Sequence, residues 1–134
     1  MIVDASVATK WLVREDGLEA ARDLLRSSEP LLAPDLIRLE VGHALWKKVR
    51  LEQIASDVAE RGYVALPAFF QTLTPTGSLL AAAFDLAERL VHPAYDCVYL
   101  ALALAEDSLV VTADKGFIEA ARVGGYASRV KSYR

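Results

Sequence analysis

Short apolar runs alternate with helix-forming segments along the whole chain, and this alternation restricts the possible fold most strongly. The runs "MIVD" and "SLVVTAD" have the apolar, β-branched character of buried strands, and "PLLAP" is a short strand between two prolines. A last short strand is predicted in "SRVKS", and "QTLTPT" could be a strand edge. Strands separated by helices are typical of a parallel sheet with helices on both faces. We therefore predict an α/β fold with a short, mostly parallel central sheet flanked by helices.

The segments between these strands predict seven helices. Ser6, Asp35 and Ser78 stand where N-cap residues are expected for the first, third and fifth of them. The sixth is apolar on nearly every face, so we expect it to be central and buried. The seven segments are "SVATKWLV", "GLEAARDLLRSS", "DLIRLEVGHALWKKVR", "SDVAERGYVAL", "SLLAAAFDLAERLV", "AYDCVYLALALAED" and "KGFIEAARVGG".

Length and composition suit a single domain, which we place at residues 1–134. The apolar share of 54% is enough for a sizeable core. The longest apolar runs fall short of the roughly 18 residues that span a bilayer, and no segment has the flanks of a signal peptide. The single cysteine, Cys97, cannot form an internal disulfide, which fits a reducing cytoplasm. We therefore expect a cytoplasmic protein with no membrane partner.

Charge is distributed unevenly along the chain. The net charge of −3 argues weakly against nonspecific binding of nucleic acid. The last twenty residues are nevertheless basic. They contain one acidic residue, Glu119, and five basic ones: Lys115, Arg122, Arg129, Lys131 and Arg134. A local basic face can contact a phosphate backbone even when the total charge is acidic. The alternative is that this tail is only solvated surface.

Four acidic residues stand in surroundings that need an explanation. Asp4 ends the first predicted strand and Asp114 follows "LVVT", so both are expected at the edge of the sheet where ligands bind. Glu40 lies on a mostly apolar helix, and Asp96 lies at the start of the most apolar one. A carboxylate near a core is costly unless it is paired or holds a metal ion.

Each acid taken alone has a simpler interpretation. Asp4 and Asp114 could be turn residues, and Asp96 could interact with the helix dipole. Glu40 could pair with Lys47, Arg38 or His43. Taken together, the four acids suggest one site of oxygen ligands for a hard cation such as Mg²⁺ or Mn²⁺. Such an ion could activate a water and neutralise charge on a phosphodiester.

Two hydroxyl residues lie close to these acids in the sequence. Ser6 is two residues from Asp4, and Thr112 is two residues from Asp114. Their hydroxyls could hold a carboxylate or a water at a metal site, as outer groups around such sites do. Each could instead be only a helix cap or a strand residue.

Four blocks of the sequence resemble the acidic blocks of a PIN domain, and their order and spacing are most similar to those of VapC toxins. The resemblance covers nearly the whole chain and implies a PIN-like three-layer sandwich. It implies that Asp4, Glu40, Asp96 and Asp114 form the acidic centre and that Thr112 is the hydroxyl beside the last acid. The family often has an asparagine where this chain has His43, so the role of that position stays open. The blocks are "MIVDASVATKWLV", "PDLIRLEVGHALWK", "HPAYDCVYLALALA" and "LVVTADKGF".

The resemblance also implies an activity and partners. The activity is a Mg²⁺-dependent endoribonuclease, with Mn²⁺ able to substitute, that cleaves structured RNA such as tRNA or rRNA and leaves a 5′-phosphate and a 3′-hydroxyl. RNA-backbone contacts would then fall to Lys115, Arg122, Arg129 and Lys131. The implied partners are a cognate antitoxin, whose tail crosses the active-site groove, and a second toxin subunit in a homodimer. Candidates for contacts of this kind, or else for the core, are Trp11, Trp46, Phe69 and Phe70.

Two other functions stay open at this point. One is a catalytically silent PIN-like module kept for partner binding. The other is a small metal-dependent phosphotransferase with an aspartyl nucleophile at the end of the first strand. The second is less favoured, because Ser6 occupies the place where such enzymes often have a second acid.

Overall fold

Five short strands form one sheet in the computed structural model, which describes residues 1–134. The strands are β1 (Ile2–Val3), β2 (Leu32–Pro34), β3 (Thr72–Thr74), β4 (Val110–Thr112) and β5 (Val130–Ser132). Their order in the sheet is β3-β2-β1-β4-β5, and every neighbouring pair is parallel. The predicted α/β fold is confirmed, and the sheet is parallel throughout.

Seven helices connect these strands, in the segments where the sequence predicts them. They are α1 (Ala5–Leu12), α2 (Leu18–Leu25), α3 (Leu36–Arg50), α4 (Ser56–Ala65), α5 (Leu80–Leu90), α6 (Ala94–Ala105) and α7 (Lys115–Val123). Short 3₁₀ turns occupy Leu66–Phe69 and Thr76–Leu79. None of the helices combines the length and apolarity needed to cross a membrane.

The strand order determines which face of the sheet each helix covers. From β1 the chain moves to β2 and β3, and it then returns across the sheet to β4 and β5. Right-handed crossovers therefore place α1–α4 on one face and α5–α7 on the other. The packing follows this division, since α1 contacts α2 and α3 whereas α5 contacts α6 and α7. The result is a three-layer sandwich.

Helix α6 contributes more buried residues than any other helix. All its residues from Cys97 to Ala103 are buried, and it packs between the sheet and α5. A helix that is apolar on most faces requires such two-sided burial, so the predicted central position is confirmed. Close packing on both sides restricts the rotamers of the side chains that α6 carries.

Two of the three predicted N-caps, Ser6 and Ser78, differ from the observed helix starts, and the third makes no capping bond within its own helix. Asp4 occupies the N-cap of α1, so Ser6 lies inside the first turn and is not the cap. Ser78 lies in a 3₁₀ turn before α5, where its hydroxyl donates to the carbonyl three residues earlier. Asp35 does occupy the N-cap position of α3, but its carboxylate accepts hydrogen bonds from Thr76. Short polar side chains find partners outside the first turn as easily as within it.

Candidate active site

The acidic residues lie close to the point between β1 and β4 where the order of the strands in the sheet changes direction. Helices leave β1 and β4 toward opposite faces, and a crevice beyond the carboxyl ends of two such strands is the usual ligand site in parallel sheets. Asp4 directly follows β1, and its amide donates to the Val111 carbonyl in β4 at 3.0 Å. Asp114 follows β4 by two residues. Both acids therefore emerge at the same edge, as the sequence predicts.

Asp4 is almost completely buried, at 4% exposure, and two hydroxyls hold its carboxylate. Ser6 Oγ donates to Asp4 Oδ2 at 2.6 Å, and Thr112 Oγ1 donates to the same oxygen at 2.7 Å. The two hydroxyl oxygens in turn accept from the amides of Ala113 and Asp114, each at 3.0 Å. Thr112 therefore supports the carboxylate of the first acid and only the backbone of the last one.

Asp114 is the N-cap of α7. Its Oδ1 accepts from the Phe117 amide at 3.1 Å, which satisfies one free amide of the first turn. This bond fixes the side chain at the sheet edge beside Asp4. The structural role does not exclude a second one, because a carboxylate has further acceptor sites.

Asp96 lies in the first turn of α6 and contacts a histidine that the sequence reasoning did not single out. His92 Nε2 and Asp96 Oδ2 are hydrogen bonded at 2.6 Å. The His92 ring stacks on Phe117, with ring centroids 5.6 Å apart. The sequence feature that could have indicated a contact with His92 is its spacing. His92 precedes Asp96 by four residues, across the start of α6 at Pro93.

Glu40 reaches the site from α3. Its Oε1 accepts from the hydroxyl of Tyr99 at 2.7 Å, and Tyr99 is fully buried on α6. The predicted alternative partners on α3 are not engaged, and His43 is exposed and stacks on Trp46 at a centroid distance of 5.5 Å. Tyr99 was also missed from the sequence, because a tyrosine in an apolar helix is usually a core residue.

The surroundings of three of these acids favour the protonated form. Burial is the main cause of the raised pKa of Asp4, of Asp96 and of Glu40, whose pKa is about 7. Repulsion contributes in every case: Asp114 acts on Asp4, Asp4 and Asp96 act on Glu40, and Asp4 and Asp114 act on Asp96. Hydrogen bonds from Tyr99 and His92 oppose the shifts of Glu40 and Asp96. Every pair of these four carboxylates except Glu40 and Asp114 is therefore close enough for repulsion.

The donor set fits a hard divalent cation in its chemistry. All four acids offer oxygen, the ligand atom that Mg²⁺ and Mn²⁺ prefer, and an added cation would relieve their mutual repulsion. The carboxylates do not converge on one point, since no three acidic, histidine or cysteine side chains are arranged to hold one metal ion. Metal ligation by Asp4, Glu40, Asp96 and Asp114 thus stays a prediction.

Comparison with known proteins gives the family. The PIN domain matches residues 1–123. The chain belongs to the PIN domain family. It is also 31% identical over 121 residues to Ribonuclease VapC3 of Pyrobaculum aerophilum, and this match covers 89% of the chain and 92% of that protein. The expectation of a PIN-domain ribonuclease of the VapC type is confirmed.

A solved structure supports the same fold for this PIN domain. The crystal structure of PAE2754 from Pyrobaculum aerophilum matches it with a TM-score of 0.72 and 21% sequence identity. The match covers 98% of this chain and 89% of the other. The likeness extends the PIN-like three-layer sandwich over nearly the whole chain.

The basic candidates of the PIN domain are scattered over the fold. Lys115 is exposed at the start of α7, directly after Asp114. Lys131 is exposed on the edge strand β5. Arg122 forms a two-bond ion pair with Glu119, at 2.8 and 2.7 Å. Arg129 lies at the opposite edge of the sheet, where it binds Asp107 and the Ser108 carbonyl before β4. Of the four, only Lys115 adjoins the acids.

The aromatic candidates divide between core and surface. Trp11 is buried, packs against Phe69 and Phe70, and donates its indole hydrogen to the Ala21 carbonyl at 2.8 Å. These three rings therefore belong to the core side of the molecule. Trp46, in contrast, is 57% exposed.

An apolar groove begins at Glu40 and continues along the exposed side of α3. Its first part, of about 410 Å³, is lined by Leu36, Leu39, Glu40, His43 and Tyr95. The next part, of about 430 Å³, shares Leu39 and His43 and adds Arg38, Gly42, Trp46 and Tyr63. One end of this apolar surface is thus the acidic site itself.

Proposed function

We propose that this PIN domain is a divalent-metal-dependent endoribonuclease and the toxin component of a VapBC-type toxin–antitoxin pair. The observation that carries the proposal is the set of four acids beyond β1 and β4, three of which have a raised pKa through burial and mutual repulsion. Such an arrangement is costly without a cation. The similarity to Ribonuclease VapC3 directs the chemistry toward RNA.

In this proposal Asp4, Glu40, Asp96 and Asp114 hold Mg²⁺, and Mn²⁺ can substitute. The bound ion would supply a water of lowered pKa and neutralise charge on the scissile phosphodiester. The chain's own part is to present the oxygens in fixed positions. Ser6 and Thr112 do so for Asp4. Their role agrees with the support that outer groups give to metal ligands.

The proposed substrate is structured RNA, such as tRNA or rRNA, cleaved to a 5′-phosphate and a 3′-hydroxyl. Lys115, exposed beside Asp114, is the best placed cation for a backbone phosphate next to the scissile bond. Lys131 is a second exposed candidate. Arg122 and Arg129 are less favoured, since their guanidinium groups already bind acids of the same chain.

The proposed partners are a cognate antitoxin and a second copy of this chain, in the cytoplasm, with residues 1–134 acting as one domain. The groove along α3 supports the antitoxin, because it combines exposed apolar side chains with one end at the acids. An extended or helical segment lying there would cover Glu40 and block access to the site.

Cleavage of total RNA and of purified tRNA and rRNA tests the enzymatic proposal. Wild-type protein is expected to cleave with Mg²⁺ or Mn²⁺ and to stop with chelator, and the new 5′ ends should be substrates for a 5′-phosphate-dependent exonuclease. Asp96→Asn is the inactive control. Metal-independent cleavage, or cleavage by Asp96→Asn equal to wild type, would contradict the proposal. RNA binding without cleavage would favour the silent interaction module, and hydrolysis of a generic phosphomonoester alone would favour the phosphotransferase.

A further inference from the structure

Tyr99 connects the buried helix α6 to the acidic site through one hydroxyl group. Its side chain is fully buried, and its hydroxyl donates to Glu40 Oε1 at 2.7 Å across 59 residues of sequence. Glu40 lies on α3, which covers the other face of the sheet from α6. This bond therefore joins the two helical layers at the site.

The position of Tyr99 on α6 is shared with an acid of the same site. Asp96 precedes it by three residues, and side chains three apart lie on the same face of a helix. Helix α6 thus carries one carboxylate itself and reaches a second through the tyrosine. Its close packing fixes both side chains together.

The bond suits a carboxylate that must keep one oxygen available. A tyrosine hydroxyl has a single hydrogen to donate, and it donates to Oε1 of Glu40 only. The other oxygen of Glu40, Oε2, is therefore left for a ligand.

We propose that Tyr99 is a positioning residue of the active site, whose hydroxyl holds Glu40 in place for the divalent cation. This inference rests on the proposed function, in which Glu40 is one of the four metal ligands. A purely structural interpretation is that Tyr99 fills the core and only satisfies its hydroxyl on a convenient acceptor. The two interpretations differ in what removal of the hydroxyl does to metal binding.

The test is Tyr99→Phe in the full chain, which removes the hydroxyl and keeps the ring. Binding of Mn²⁺ is measured by titration calorimetry, and kcat and KM for RNA are measured separately. We expect the Kd for Mn²⁺ to rise about ten-fold or more, as for loss of other outer partners of metal ligands. We also expect kcat to fall while KM changes little. Tyr126→Phe, on a tyrosine partly buried against the same core, is the matched control and should leave all three values unchanged.

A double-mutant cycle shows whether Tyr99 acts through Glu40. In a Glu40→Gln background, Tyr99→Phe should change the Mn²⁺ affinity by less than about two-fold. A change of that size is within the usual accuracy of double-mutant cycles. The structural interpretation predicts that Tyr99→Phe lowers the melting temperature and leaves the Mn²⁺ affinity of the wild-type background unchanged. That result would overturn the inference.

A second variant keeps the test decisive if Tyr99→Phe does not fold. Glu40→Asp retains the charge but shortens the side chain, so that it no longer reaches the hydroxyl, and it leaves the core intact. The inference predicts the same loss of Mn²⁺ affinity, of about ten-fold or more, and an affinity equal to wild type would overturn it. Wild-type protein that neither binds Mn²⁺ nor cleaves RNA would instead overturn the proposed function.

Discussion

The acidic site has two halves that are held in different ways. In the strand half, Asp4 and Asp114 lie just beyond the ends of β1 and β4. The hydroxyls of Ser6 and Thr112 hold Asp4, and a backbone amide in the first turn of α7 holds Asp114. In the helix half, Glu40 and Asp96 extend from α3 and α6, and each has a hydrogen bond from a single side chain. The strand half is part of the sheet framework, whereas each acid of the helix half depends on one tyrosine or one histidine.

This difference predicts that mutations in the two halves have separable effects. Changes to the supports of the strand half should lower stability as well as activity, because the groups they remove are buried with the framework. Changes to the supports of the helix half should act mainly on metal binding. Loss of an acid itself should be severe in either half.

The largest effect is expected from Asp4→Asn and Asp96→Asn, one in each half. Each replaces a charged oxygen ligand by an amide that binds a hard cation poorly. Loss of a group that only supports a metal ligand lowers activity by up to about 100-fold, so loss of a ligand should lower RNA cleavage by at least that factor. Growth arrest on expression should be relieved. Asp85→Asn is the control, since Asp85 is exposed on α5 and pairs with Arg89. Wild-type rates in either site mutant, in metal-controlled buffer, would remove that half from the site.

The contrast between the halves is tested directly by Thr112→Val and His92→Phe. Thr112→Val leaves the buried Asp4 carboxylate with one hydroxyl fewer, so the free energy of unfolding should fall by about 1–3 kcal/mol. His92→Phe keeps a ring to stack on Phe117 but removes the bond to Asp96, so Mn²⁺ affinity should fall with less change in stability. Chemical denaturation and calorimetry measure the two quantities. If both variants lose equal stability and neither loses metal affinity, the division into two halves is wrong.

A smaller effect is expected on the stability of the metal-free protein as pH changes. The pKa of Glu40 is raised to about 7 in the folded chain, so its protonated form is favoured by folding. Its contribution to stability is full below the ordinary pKa of the group and is lost as pH rises to about 7. Glu40→Gln should therefore stabilise the metal-free protein by about 1–3 kcal/mol at pH 8 and very little at pH 4.5.

Denaturation at the two pH values, with chelator, measures this difference. Glu88→Gln, at an exposed position on α5, is the control. A stabilisation that is the same at both pH values would show that the site does not raise the pKa of Glu40. Asp96→Asn is a weaker form of this test, because it also replaces the charged hydrogen-bond partner of His92 by a neutral amide.

The smallest effect concerns the basic residues outside both halves. Lys115→Gln should weaken RNA binding and reduce the slope of log affinity against log salt by roughly 0.7–0.9, the value of one phosphate contact. Arg122→Gln should change neither quantity measurably, because Arg122 is already paired with Glu119. Fluorescence anisotropy at several salt concentrations measures both. An equal change of slope in the two variants would mean that RNA contacts extend along α7.

The sequence by itself determined the framework and the strand half of the site. The alternation of strands and helices, the apolarity of α6 and the acids after "MIV" and "LVVT" are local patterns, and periodicity within an element reports which of its faces is buried. These patterns were sufficient for the α/β fold and for the shared edge of Asp4 and Asp114. They were insufficient for the caps at Ser6 and Ser78, because a short polar side chain has several partners within reach.

The partners of the acids were decided only by the tertiary structure. Thr112 donates to Asp4 across 108 residues, and Tyr99 donates to Glu40 across 59. Whether such side chains meet depends on how α3, α6 and the sheet pack, and no periodicity within one element contains that information. His92 is the intermediate case, since its spacing from Asp96 is local but its place against Phe117 requires the segment between α5 and α6 to lie beside α7. Local sequence therefore predicts which residues carry charge at the site, and packing decides which neighbours hold that charge in place.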